Sequence, residues 1–252
     1  MSLAQPSFRT DLADETAIVV GVDQALGRHL AGLLAACGAA VVLIAPRLAD
    51  ALAQQAENKR SGGRALAVGL DVTQFADIEA AFTEVEHQFG PATILINALA
   101  LGEDMASIDL ATEKFDTLIQ TNLRGPYILC AEFARRRIAA RQSGRIVNLL
   151  PISAFHTDGR NGSAGSMAAA GLVRLTEVLA VEWTKFGINV NAIAATGCEG
   201  DRQEEDSSVT AFPGHSPGTF VQLDSSLLYL VSPSSDLVTG TCIKVDGART
   251  GR

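Results

Sequence analysis

The stretch TAIVVGVDQALGRHLAGLLAACGAAVVLIA, residues 16–45, decides the fold. TAIVVGV (16–22) is a short apolar, β-branched run and reads as a buried strand. QALGRHLAGLLAACG (24–38) has helical spacing and stops at Gly38. AAVVLIA (39–45) is the next strand. The same alternation runs outward along the chain. A helix in RLADALAQQAENKRSG precedes a strand at RALAVGLDV (64–72). A helix ending at Gly90 precedes ATILINA (92–98), and a long helix over about 112–141 precedes GRIVNLL (144–150). The helix in SAGSMAAAGLVRLTEVLAVEW (163–183) leads to INVNAIA (188–194). A helix in GTFVQLDSSLLYLVS leads to a last strand at TCIKVDG (241–247). Strand and helix alternating from end to end predict an α/β fold. The expected architecture is one Rossmann-type domain over 1–252, a doubly wound parallel sheet of about seven strands flanked by helices. No linker, composition break or repeat divides the chain.

Composition narrows the function classes. Hydrophobic residues make up 47% of the 252 residues and charged residues 19%, enough apolar matter for a sizeable core. Twenty basic against 28 acidic residues give a net charge of −8, which disfavours a phosphate-backbone partner, so no nucleic acid is expected. The start MSLAQPSFRTDLADE has no long apolar core after basic residues and does not read as a signal peptide. No apolar run is read as reaching the ~18 residues of a membrane span. Cys37, Cys130, Cys198 and Cys242 form no CxxC pair and read as buried thiols of a cytoplasmic protein. His29, His87, His156 and His215 are equally scattered, and no metal site is expected.

In an open α/β sheet the ligand crevice lies outside the carboxyl ends of the strands. Two stretches fall there. The first strand-to-helix turn, VVGVDQALGRHLA, is the place for a dinucleotide: glycines let the backbone approach a pyrophosphate, and the helix N-terminus offers amide donors. Gly21 and Gly27 suit this role, Ala25 interrupts the glycine spacing, and Asp23 would oppose a pyrophosphate if turned inward. The other is TGCEGDRQEEDSSVTAFPGHSP (196–217), polar and acidic, a candidate lid or equally a solvated loop.

Further motifs carry a resemblance. LDVT (70–73), LINALA (95–100), TNLRGPY (121–127), GRIVNLLPIS (144–153), LTEVLAVEW followed by GINVNAIA, and VTGTCIKVDG (238–247) stand in one order over about 16–247. In that order they resemble the short-chain dehydrogenase/reductase family. The resemblance implies a Rossmann fold, a dimer or tetramer, and NAD(P)-dependent hydride transfer on alcohols and ketones. It also implies that Asp71 and Val72 touch the adenine, that Asn97 belongs to the cofactor site, and that Asn122 stands at the catalytic asparagine position.

The departures from the family pattern are concentrated at the chemistry. A tyrosine phenol moves the substrate proton in this family, and a lysine four residues later lowers its pKa and holds the nicotinamide ribose. A serine positions the substrate oxygen. Here the serine, tyrosine and lysine positions are Pro151, Gly165 and Ala169. A shifted alignment cannot recover the pair: the tyrosines are Tyr127 and Tyr229, the lysines are Lys59, Lys114, Lys185 and Lys244, and none lies between 128 and 184. Arg174 is five residues past Ala169 and at ~100° per residue points away from that face. Ser153, Ser163, Ser166 and His156 could sit near the crevice, and a Ser–His pair is one weak alternative.

The cofactor pocket departs in the same direction. Ala45 and Pro46 replace the acidic residue that holds the ribose in NAD-using members, Arg47 is a weak pointer to NADP, and AATGC (194–198) replaces the usual turn at the nicotinamide end. The expectation is therefore no cofactor or weak NAD(P) binding. It is also of a degenerate, catalytically impaired member, more a pseudoenzyme than an enzyme when alone. Such a chain would act as a non-catalytic or regulatory subunit, paired with an active short-chain oxidoreductase such as a hydroxyacyl-CoA or alcohol dehydrogenase. The alternatives are an active NAD(P)-dependent oxidoreductase with an atypical site, and a small-molecule binding module. Homo- or hetero-oligomerisation is expected through helices 112–141 and 163–186, using Phe115, Leu118, Ile119, Leu123, Tyr127 and Phe133 on one and Leu172, Leu175, Val178, Leu179 and Glu182 on the other.

Overall fold

The computed structural model describes residues 11–99, 107–156, 162–195, 220–248 and 250. Seven strands alternate with helices: β1 (Thr16–Val20), α1 (Ala25–Ala36), β2 (Ala40–Ala45), α2 (Leu48–Arg60), β3 (Arg64–Gly69), α3 (Phe75–Phe89), β4 (Ile94–Asn97), α4 (Thr112–Ile119), α5 (Gly125–Ala139), β5 (Gly144–Pro151), α6 (Ser163–Trp183), β6 (Ile188–Ala195), α7 (Val221–Val231) and β7 (Cys242–Val245). They form one sheet in the order β3-β2-β1-β4-β5-β6-β7, and every neighbouring pair is parallel. The order reverses between β1 and β4, which opens the crevice at their carboxyl ends. The doubly wound parallel sheet expected from the alternation is the one observed.

Side-chain alternation divides the core in two. In β1, Ala17 and Val19 pack with Leu30 and Leu34 of α1 and with Leu227 of α7. Ile18 and Val20 pack on the opposite face with Ile78 and Phe82 of α3 and Phe133 of α5. Strands covered on both faces carry no polar side of their own, which is why they read as continuous apolar runs.

Four differences from the expected elements have local causes. The third strand stops at Gly69, short of the expected Val72, because Asp71 Oδ1 accepts from the Thr73 amide and hydroxyl at 2.9 and 2.8 Å and starts a turn. The fourth strand is confined to Ile94–Asn97. The long helix expected over 112–141 is interrupted by a π-helical turn at Gln120–Arg124. Pro126 has no N–H to give the carbonyl of Asn122 four residues back, so the α-helical ladder cannot run through. The expectation that no segment is apolar enough to cross a membrane is also corrected: Ser163–Phe186 is, by length and composition. Its Ala168, Leu172, Leu179 and Ala180 are buried against the sheet, as in a core helix.

α5 is tied to α3 by charge. Glu132 is buried and accepts from Arg135 at 2.7 and 2.8 Å and from Arg136 at 2.5 Å, while Arg136 also reaches Glu86 of α3 at 2.6 Å. Burial alone would raise the Glu132 carboxyl, but the two arginines outweigh it and hold it below the ordinary carboxylate range. A carboxyl depressed in the folded state stabilises above its unfolded pKa, and that contribution is lost as pH falls through the folded value. Glu132→Gln should cost about 1–2 kcal/mol in urea unfolding at pH 7, with the gap from the parent narrowing toward pH 3. An unchanged gap at both pH values would remove the ion-pair explanation.

Candidate functional site: the crevice at the switch point

A pocket of about 540 Å³, counting its open mouth, occupies the crevice where the strand order reverses. The ends of β1 and β2 supply its apolar wall through Val20, Ile44 and Ala45, the turn after β3 adds Leu70 and Val72, and Pro46 and Leu99 continue it. Gly21, Asp23 and Gln24 border it from the β1–α1 turn, and Asp71 and Thr121 complete the rim.

The glycines of the turn are held by crowding. Gly21 has φ +97°, and a Cβ on it would stand 2.5 Å from the Ala98 carbonyl oxygen. A Cβ on Gly27 would stand 2.1 Å from the Gly21 carbonyl oxygen. Both glycines therefore let α1, the turn and the end of β4 close on one another, whatever else they do. The amides of Gly21 and Val22 donate to the Ile44 carbonyl, and that of Gln24 to the Gly21 carbonyl, at 2.9–3.1 Å. Ala25 opens α1 with no side-chain cap from Gln24 before it. Asp23 Oδ2 accepts from Gln24 Nε2 at 2.9 Å, and Asp23 Oδ1 is buried with no hydrogen-bond partner.

The other candidate cofactor residues separate into two groups. Val72 lines the pocket and packs so tightly on the start of α5 that a Cβ on Gly125 would stand 2.9 Å from its Cγ2. Asp71 stands beside it on the rim. Asn97 is fully buried and outside the pocket lining: its Nδ2 donates to Asn148 Oδ1 at 2.8 Å and meets Cys130 Sγ at 3.3 Å. Asn148 Nδ2 donates in turn to Thr176 Oγ1 at 2.9 Å. This network links β4, β5, α5 and α6 beneath the crevice. Burial pushes the Cys130 thiol up to about 12, so it is no nucleophile near neutrality. Asn148 was legible only as a lone polar residue in the apolar run GRIVNLL, and its role was not read from it.

The positions where the resemblance places chemistry are outside the lining of this pocket. Pro151 is the half-buried last residue of β5. Gly165 and Ala169 lie in the first two turns of α6, with Ala169 buried. Asn122 is buried in the π-helical turn. Arg174 faces solvent, paired with Glu177 at 2.6 Å. Ser153 is buried after β5, His156 is exposed, and Ser166 Oγ is buried with no partner. Arg47 forks onto Asp50 at 2.8 and 3.1 Å as it opens α2. Lys244 of β7 lies 4.2 Å over the Phe155 ring, a contact that sequence spacing did not suggest. The candidate lid at 196–217, and with it the turn after Ala195, lies outside the described residues.

The family model described as Enoyl-(Acyl carrier protein) reductase matches residues 21–249. A Galactitol 2-dehydrogenase of Rhizobium johnstonii is 33% identical, with 98% of each chain covered. The chain belongs to the short-chain dehydrogenase/reductase family. An NAD-dependent glycerol dehydrogenase of Listeria innocua is 29% identical over 95% of each chain. A solved short-chain type dehydrogenase/reductase from Mycobacterium marinum matches with a TM-score of 0.90 at 25% identity, covering 97% of this chain and 98% of that one. A solved gluconate 5-dehydrogenase from Burkholderia cenocepacia, in complex with NADP and tartrate, has the same fold, with a TM-score of 0.90 at 24% identity over 97% and 98% of the two chains.

The two halves of the crevice differ in what they offer a dinucleotide. The apolar wall from Ala45 to Val72 suits a flat base. The turn that would face a pyrophosphate carries a buried, unpartnered carboxylate oxygen and three amides already donated to backbone carbonyls. At the positions to which the resemblance assigns the phenol and the ammonium, the chain has Gly165 and Ala169.

Proposed function

We propose that this chain is a short-chain dehydrogenase/reductase homologue without hydride-transfer activity of its own, a structural or regulatory subunit that works in the cytoplasm beside an intact relative. One observation carries the reading: no tyrosine or lysine occurs between residues 128 and 184. General acid–base catalysis needs a proton donor within hydrogen-bond reach of the reacting oxygen. Gly165 has no side chain, Ala169 ends in a methyl group, and Arg174 is engaged with Glu177. A second reading, an active NAD(P)-dependent oxidoreductase of alcohols or ketones with an atypical site, has the support of the relatives. Those above are named as dehydrogenases of galactitol and glycerol, and the Burkholderia structure holds NADP. That reading requires an acid other than the family's phenol.

The partner surface is narrower than the sequence suggested. Leu118 and Phe133, expected at an interface, are buried within the chain, as are Leu172 and Leu179. Phe133, Leu172 and Leu179 pack on the sheet and the neighbouring helices instead. On α5 and α6 the exposed large apolar residues are Tyr127, 51% accessible, and Met167, Val178 and Val181, at 52, 45 and 80%. Met167, Val178 and Val181 share one face of α6 by their spacing. An obligate partner would cover this face and bury roughly 2,000 Å² or more in all.

Purification of the tagged chain from its source cells, with identification of what copurifies, tests the reading. A second, intact member of the family should be recovered. The pair Val178→Asp and Val181→Asp should abolish that recovery while leaving the circular dichroism spectrum unchanged. A parent protein that elutes as a monomer at micromolar concentration, with no partner recovered, contradicts it.

A further inference from the structure

The sheet begins with an open strand. β3 (Arg64–Gly69) pairs with β2 alone, and no strand among the described residues lies on its other side. We propose that this edge is a homodimer surface: two copies pair β3 with β3, antiparallel about a two-fold axis normal to the sheet, with Ala67 beside its own symmetry mate and α2 packed on α2. α6 packs on β5 and β6 in the other half of the sheet, so this surface is separate from the α6 face and needs no second family member.

The backbone presents a ready ladder. The Leu70 amide turns inward to the Ala45 carbonyl, while the Ala65 carbonyl turns outward, where Gln55 Nε2 of α2 reaches it at 2.8 Å. Alternation along the strand therefore puts the N–H and C=O groups of Ala65, Ala67 and Gly69 on the free edge. An axis through Ala67 sets Ala67 opposite Ala67 and Ala65 opposite Gly69, so that each pair exchanges two bonds and the strand takes the place of Gln55 at Ala65. Protein edges are ordinarily blunted by proline, lysine, bulges or inward charges. RALAVG has no proline or lysine, and its register with β2 runs unbroken from Ala40↔Arg64 to Ala45↔Gly69. Arg64 is drawn back onto the carbonyls of Ala13 and Gly38, at 2.7 and 3.4 Å.

The same axis accounts for two leucines that the chain leaves in water. Leu48 and Leu52 of α2 are 49 and 48% accessible. A Cβ on Gly69 would stand 3.0 Å from that of Leu48, and Gln55 reaches Ala65, so α2 runs down along β3. At ~1.5 Å per helical residue against ~3.3 Å per strand residue, Leu52 lies level with Ala67. The axis thus sets Leu52 against Leu52, and Leu48 against the exposed Ala56 of the other copy. The strip Leu48, Leu52, Gln55 and Ala56 carries no charge to oppose its own image. A foreign strand would meet the ladder without the matching leucines, and a second copy meets both.

Sedimentation equilibrium of the full chain carrying Val178→Asp and Val181→Asp, which disable the α6 face, isolates this surface. A dimer should form by ~300 µM, of the weak class that buries less than about 1,200 Å² in all. Ala67→Pro, added to this background, removes an outward N–H and leaves the ladder to β2 whole, so the dissociation constant should rise at least ~10-fold. Leu52→Lys sets two ammonium groups against each other at the axis and should weaken the dimer as much. Thermal midpoints establish that each variant is folded. Amide hydrogen exchange of the unsubstituted chain gives a reading that needs no variant: Ala67 and Gly69 should exchange more slowly as protein concentration rises. A monomer throughout the range overturns the proposal, as does a dimer unweakened by either folded variant, or exchange at these two amides that ignores concentration. Recovery of an intact relative by copurification bears on the subunit reading and leaves these measurements unaffected.

Discussion

Gly27→Ala should destabilise the protein by about 3 kcal/mol and lower its thermal midpoint by roughly 6–12 °C. The direction runs against helix propensity. Gly27 lies inside α1, where exchanging glycine for alanine ordinarily gains about 0.5–1 kcal/mol. Here the new methyl carbon would stand 2.1 Å from the Gly21 carbonyl oxygen and 2.6 Å from its carbon. Those atoms are backbone, and Gly21 is itself pinned, its amide bonded to Ile44 and its Cα side facing the Ala98 carbonyl. The strain has no flexible side chain to absorb it, so α1 must shift off β1 and open the core around Leu30 and Leu34. Gly32→Ala is the matched control in the same helix. A Cβ there meets nothing within 4 Å, and the variant should be stabilised by about 0.5–1 kcal/mol. Differential scanning calorimetry of the two variants beside the parent checks both signs. Equal midpoints for the two would mean that the close approach of α1 to the turn is not maintained in solution.

The strands were legible because the centre of the sheet is covered on both faces, so β1, β2 and β4 read as unbroken apolar runs. Their ends were less legible. Asp71 stops β3 through a side-chain bond to Thr73 that no periodicity encodes, and Pro126 breaks the 112–141 helix although it was read only as part of a motif. The site divides in the same way. The sequence reads Gly21 and Gly27 as turn glycines that let the backbone approach a pyrophosphate, but sequence alone does not say whether a ligand or the protein's own backbone crowds them. In the structure it is the backbone of Ala98 and of Gly21 itself. Asn97 was assigned to the cofactor site from a motif. Its partner became visible only when the pairing of β4 with β5 set Asn97 beside Asn148. The interface residues were overcounted for a related reason: apolar spacing on α5 and α6 marks a buried face without telling intramolecular cover from a partner. Only residues such as Val181, 80% accessible, distinguish the two.

The largest expected effect is on turnover. Loss of a positioned acid costs typically ~10²–10⁴-fold, which would bring a common rate of ~10 s⁻¹ down to about 10⁻¹–10⁻³ s⁻¹. Weak dinucleotide binding, the expectation drawn from Ala25 and Asp23, would lower the observed rate further. Restoring Gly165→Tyr and Ala169→Lys together should not recover the family's activity. Pro151 still supplies no hydroxyl to position the substrate oxygen. Ala169 is moreover buried, so a lysine there must first displace its neighbours.

The central claim, that this chain alone does not transfer hydride, is tested most directly by one measurement. The purified chain, free of other proteins, is mixed with saturating NADH or NADPH and a panel of ketones and sugar acids, and consumption of the reduced cofactor is followed by absorbance. The account predicts no steady turnover above ~10⁻¹ s⁻¹ with any substrate in the panel. A sustained rate above ~1 s⁻¹ with any one of them contradicts it.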